Sequence, residues 1–218
     1  WYALWKLPNG NSARKKMIVF RKKTSNSDIA VWQLTESEDA LLNLLGKSSI
    51  PSVYKNATRR LEFLAEKLLL KAVCGESDFE HLPSGMPFLP NSDVRISFSH
   101  TKGYVALIAS RKKMVGIDIE YPSERVGRVK ERFLSRAELE CFGHHLPSVL
   151  LAWCAKEALY KVLDTPNFDF AKQLEVQGFE TKTEGEFLVK SVTDDVCIHK
   201  LNYICNDDYF LVWVEKTG

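Results

Sequence analysis

Apolar and polar residues alternate, or recur at helical spacing, through most of this chain. Residues 29–34 (IAVWQL) read as a strand. A helix should follow over TESEDALLNLL, with Thr35 as N-cap and Glu38 in capping-box position. From Thr58 to Val73, apolar residues at 61, 64, 65, 68, 69 and 72 mark an amphipathic helix. The prolines and glycine of PSGMPFLP (83–90) predict a loop. VRISFSH and GYVALIAS then form two strands joined tightly at Thr101-Lys102-Gly103, and MVGIDIE (114–120) is a third. The second half contains FLSRAELECF, a short helix capped by Ser135 with Glu138 three residues on, and a longer helix over 148–163 that ends before Pro166. LEVQGFE, EFLVKSV, VCIHKLNYI and YFLVWVE close the chain as alternating antiparallel strands.

The two halves resemble each other. LAEKLLLKA (64–72) lies over CAKEALYKV (154–162), with Ala, Leu and Lys coinciding at 65/155, 69/159 and 71/161. IAVWQL lies over VGIDIE, so Trp32 and Leu34 stand where the second copy has Asp118 and Glu120. The acids are therefore peculiar to one copy. The expected fold is α+β: two similar lobes, residues 1–112 and 113–218, related by a pseudo-twofold axis. Each would be a small, mainly antiparallel sheet packed on a long helix.

Side chains alternate along a strand, so Asp118 and Glu120 share one face, about 7 Å apart along the chain, while Ile117 and Ile119 face a core. Paired oxygens at that spacing suit a hard divalent cation, and an acidic exposed strand face is the plain alternative. Glu157 and Lys161 are i and i+4 on the longer helix, which alone describes a surface ion pair. Composition sets limits. Thirty basic against 28 acidic residues, a net charge of +2, do not supply a whole-molecule grip on nucleic acid. The clusters Arg14–Lys16, Arg21–Lys23 and Arg111–Lys113 read as solvated loops or turns. The longest apolar run, Val149–Ala155, is far too short to span a membrane. Lys6 and Pro8 interrupt the N-terminal aromatics, against a signal peptide, although the first residue is Trp1 rather than Met. Five cysteines without a Cys-x-x-Cys pair fit reduced thiols in a cytoplasm. Neither a Gly-x-x-x-x-Gly-Lys-Ser/Thr nor a Gly-x-Gly-x-x-Gly phosphate loop is present.

GIDIE at 116–120, FLSRAEL at 133–139 and WCAKEALYK at 153–161 together resemble the signature of the 4′-phosphopantetheinyl transferases, and SFSHTKGYVALI resembles that family's Ser-His segment. The length and the apparent duplication resemble the two-lobed, surfactin-synthetase type. The resemblance implies transfer of phosphopantetheine from coenzyme A to a serine of an acyl or peptidyl carrier protein, by a monomer that uses Mg²⁺. Asp118, Glu120 and Glu157 would hold the metal, and Lys161, Ser99 and His100 would meet the phosphates. Arg59 or Arg60 would meet the adenosine 3′-phosphate end. Gly85 and Pro87 match a Gly-Lys-Pro element in which this chain has Met86. Lys156 would reach phosphate or solvent, and Trp153 would pack. Glu157, or Glu138 through a water, would be the base. A non-catalytic module that grips coenzyme A or a carrier protein is the competing reading.

Overall fold

The computed structural model describes residues 17–46, 50–163, 165, 168–193 and 195–216. The cluster Arg14–Lys16, the N-terminal aromatics and Pro166 lie outside these residues. In the first half β1 (Ile18–Lys23) and β2 (Ser27–Gln33) precede α1 (Glu38–Leu45) and the 18-residue α2 (Ala57–Cys74). Four strands follow: β3 (Glu80–His81), β4 (Pro87–Phe88), β5 (Arg95–Thr101) and β6 (Tyr104–Ser110). In the second half, β7 (Met114–Glu120) leads through α3 (Glu124–Gly127) and a 3-10 turn at Lys130–Arg132 to α4 (Arg136–Phe142). Next come α5 (Leu146–Leu163), α6 (Phe170–Gln173), β8 (Leu174–Val176), β9 (Glu184–Val192), β10 (Val196–Cys205) and β11 (Phe210–Lys216).

The strands form two antiparallel sheets, ordered β1-β2-β6-β5-β4-β3 and β7-β11-β10-β9-β8. Apart from β1 the order repeats. Each half opens on a strand, places its long helix next, and returns so that its last strand pairs with its first, β2 with β6 and β7 with β11. Alternation along the opening strands explains the layering. Ile29 and Val31 of β2 and Val115, Ile117 and Ile119 of β7 turn inward to a core between the sheets. Ala30 and Trp32 face the opposite way, toward Leu64, Ala65, Leu68 and Leu69 of α2. On the outer face of the second sheet, α5 buries Leu151, Ala155 and Leu159 against Val189, Leu201 and Val212. Helix, sheet, sheet and helix are stacked in that sequence.

Three expectations change. The predicted loop at 83–90 supplies most of the turn and the second strand of a short hairpin, in which Leu82 N–H donates to Met86 O and β3 pairs with β4. Arg21–Lys23 is not a loop: the triplet ends β1, where Asp28 on the facing strand accepts a forked pair of bonds from Arg21. The cap of α1 is Ser37 rather than Thr35, because Glu36 turns back to accept from Thr35 N–H and Trp32 Nε1, which holds both residues out of the helix.

One glycine fixes where α5 lies. A Cβ on Gly116 would stand 2.0 Å from Ala158 O and 2.7 Å from Val162 Cγ2, so backbone meets backbone at this crossing. The helix is thereby drawn close to the strand that carries Asp118.

Candidate active site

β7 is an edge of its sheet and lies beside β5, whose outer side β4 pairs only at Arg95. The acids of β7 face this seam and α5. Asp118 is buried, and its Oδ1 accepts from Ser99 Oγ (2.7 Å) and from Lys161 Nζ (2.9 Å). Its Oδ2 is buried with no hydrogen-bond partner. Glu120 Oε1 accepts from Trp153 Nε1 (3.1 Å) and Oε2 from Thr101 Oγ1 (3.3 Å). Lys161 also donates to Ile117 O (2.8 Å) and Phe98 O (3.4 Å), so its three protons bridge β7 and β5.

Glu157, one turn before Lys161 on α5, is half-buried beside these groups. Burial, and then the negative charge of Asp118, push its carboxyl up to about 7 against the pull of Lys161. Glu120 is raised in the same way, by burial and then by Asp118, against its bonds to Trp153 and Thr101. Glu157 and Glu120, both raised by burial and by the charge of Asp118, mark a site short of positive charge. A carboxyl whose folded pKa exceeds its unfolded value costs stability once ionised. That cost is absent in acid, grows as the pH climbs past the ordinary carboxylate range, and is complete above about 7. With chelator present, Glu157→Gln is therefore expected to raise Tm at about pH 8 and to leave it unchanged near about pH 4. Equal unfolding curves for variant and parent at both pH values would refute this.

Whether a cation fits is decided by the donors. They are hard carboxylate oxygens, and one of them, Asp118 Oδ2, is orphaned in the interior. Among the described residues no three or more acidic, His or Cys side chains form a ready-made metal cage. Hard carboxylate oxygens are the donors Mg²⁺ takes, one or two at a time, with waters and phosphates completing its octahedron.

A second charged group lies next to the first. His100, between Ser99 and Thr101 on β5, stands 3.4 Å from Glu62 Oε1 of α2. Arg59 Nη1 donates to Glu62 Oε2 at 2.8 Å and lies 3.6 Å from Glu66. Burial works to raise Glu62, but His100 and Arg59 outweigh it and hold the carboxyl low, whereas Glu66, more deeply buried, is raised. Arg60 instead turns to Glu38 of α1 (2.9 Å) and Lys55 O, so Arg59 is the arginine grouped with His100. Sequence reasoning missed Glu62 and Glu66; their spacing from Arg59, three and seven residues, was the available signal. Gly85 has a left-handed φ of 90° and closes the β3–β4 hairpin that Pro87 enters. His81, the last residue of β3, is lowered by burial and then by the charge of Arg59.

Two expectations are overturned. Lys156 does not reach phosphate or solvent. It is fully buried, and Nζ donates to Glu138 Oε2 (2.7 Å) and to the carbonyls of Phe133, Phe170 and Leu174. Glu138 is not placed as a base either. It is buried, with Oε2 also accepting from Ser135 N–H in the capping box and Oε1 from Val176 N–H. Trp153 packs against Phe133 and Phe170, as expected, and in addition donates to Glu120.

Residues 114–210 match the family model of the 4′-phosphopantetheinyl transferase superfamily. The match starts at the first residue of β7 and ends at the first of β11, so it takes in Asp118, Glu120, Glu157 and Lys161 and leaves out α2, Ser99 and His100. It supports that superfamily for this segment, and phosphopantetheine transfer as the general kind of activity. A search of curated proteins found no match. Among the described residues no helix is long and apolar enough to cross a membrane.

Proposed function

We propose that this chain is a two-lobed phosphopantetheinyl transferase of the surfactin-synthetase type. It moves 4′-phosphopantetheine from coenzyme A to a serine hydroxyl of an apo acyl or peptidyl carrier protein and releases 3′,5′-ADP. The reading assigns residues 1–112 and 113–218 to the lobes, a pseudo-twofold axis between them, and a monomer acting in the cytoplasm. The observation that carries it is the convergence of Asp118, Glu120, Glu157 and Lys161 at the β5–β7 seam.

Asp118 and Glu120, with Glu157 alongside, would hold Mg²⁺, which when bound neutralises the pyrophosphate and the charge that develops on the leaving phosphate. Lys161 brings positive charge beside the same phosphates, His100 supplies a donor to them, and Arg59 takes the 3′-phosphate end. Charge on a departing phosphate is stabilised best by donors and opposite charges fixed in advance. Lys161 is so fixed, by bonds to Asp118 and to two carbonyls. The serine must lose its proton as its oxygen bonds to phosphorus and the pyrophosphate P–O bond breaks. Glu157, on α5 one turn before Lys161, is the carboxylate this reading assigns to accept that proton.

The test is to incubate the protein with apo carrier protein, coenzyme A and Mg²⁺ and to weigh the carrier. A carrier heavier by one phosphopantetheine supports the transferase. An unchanged mass with measurable coenzyme A binding supports a non-catalytic module of the same fold instead.

A further inference from the structure

We propose that Thr101 is a positioning residue that sets the direction of Glu120 from across the seam. This rests on reading Asp118, Glu120 and Glu157 as the cation- and pyrophosphate-binding set. β5 and β7 run side by side, and β7 takes its backbone ladder from β11 alone among the described residues. The seam is joined by hydroxyl groups instead, in register. Ser99 Oγ accepts from Ile119 N–H (3.3 Å) and donates to Asp118. Two residues on, Thr101 Oγ1 accepts from Tyr121 N–H (3.2 Å) and donates to Glu120.

A hydroxyl has a single proton. With the Tyr121 N–H lodged on its oxygen, Thr101 aims that proton at Glu120 Oε2, while Trp153 Nε1 holds Oε1 from α5. The carboxylate is gripped by one donor from each half of the chain. Both donors are neutral, so they orient Glu120 without cancelling the charge a cation needs, which is how partners one step removed from a metal tune its ligands. Asp118 differs, since one of its two donors is the cationic Lys161.

The experiment compares the parent with Thr101→Val, which keeps the branched shape and removes the hydroxyl. Mn²⁺ is titrated in the presence of saturating coenzyme A and followed by loss of the free-ion EPR signal. The variant should bind Mn²⁺ at least about tenfold more weakly. Its affinity for coenzyme A without metal and its unfolding temperature should match the parent, and Thr101→Ser should restore Mn²⁺ binding. A valine variant that binds Mn²⁺ as the parent does overturns the inference alone, as does a serine variant that fails to rescue. A parent that takes up no Mn²⁺ overturns the site reading and the inference with it. If the valine variant does not fold, Thr101→Ala is read on the same terms.

Discussion

Asp118→Asn is expected to lower the rate of phosphopantetheine transfer by at least about a hundredfold while leaving the fold intact. The side chains are nearly the same size, so the loss reports charge rather than shape. Asp118 is the acid at which the site converges: one oxygen takes Ser99 and Lys161, and the other is orphaned inside the protein. An amide there can still meet Ser99, but it cannot ligate a hard cation well, and it gives Lys161 a weaker partner. Stability should change little. Lys161 loses an ion pair, but Glu157 and Glu120 lose the neighbouring negative charge that raises both of them. Carrier mass followed over time gives the rate, and thermal unfolding gives the control. Parent-like turnover would remove Asp118 from the chemistry.

Lys156→Met should strongly destabilise the second half. The ammonium is fully buried, and burial lowers its pKa against the charge of Glu138. Removing it strands a buried carboxylate and takes the shared donor from the carbonyls of Phe133, Phe170 and Leu174. Breaking one side of such a pair costs about 3–5 kcal/mol. For a domain of this size that lowers Tm by roughly 6–20 °C. Adding Glu138→Gln should recover part of the loss, because the stranded charge goes with it. A single variant that melts with the parent would show that the pair contributes nothing.

These two residues also show what could be read without coordinates. β7 was legible as a strand, because the two-residue alternation of side-chain direction puts Asp118 and Glu120 on one face and Ile117 and Ile119 on the other, in the core. The capping box at Ser135 and Glu138 was legible because it is local. The second use of Glu138 was not. Its partner is 18 residues away, and the carbonyls of Phe133, Phe170 and Leu174 complete the cage around Lys156. Helical spacing gives a lysine's angle around the axis, not what is packed over it. β1 was missed because Arg21, Lys22 and Lys23 make an exposed edge strand resemble a solvated loop. Of the site, the acids could be named in advance. The hydroxyls that orient them, and the choice of Arg59 over Arg60, depend on how β5, α1 and α2 are set, which no single segment encodes.

At Gly116 the strand and the helix touch with nothing between them, and a hydrogen atom is all that fits. That contact works like the stop on a calliper. Asp118 lies two residues beyond it on one jaw and Lys161 three residues beyond Ala158 on the other, and neither jaw can be pushed closer. Slack in this mouth is left to its far lip, where β5 is tacked to β7 by Ser99, Thr101 and Lys161, and a large guest entering there would unfasten side chains without unzipping a sheet.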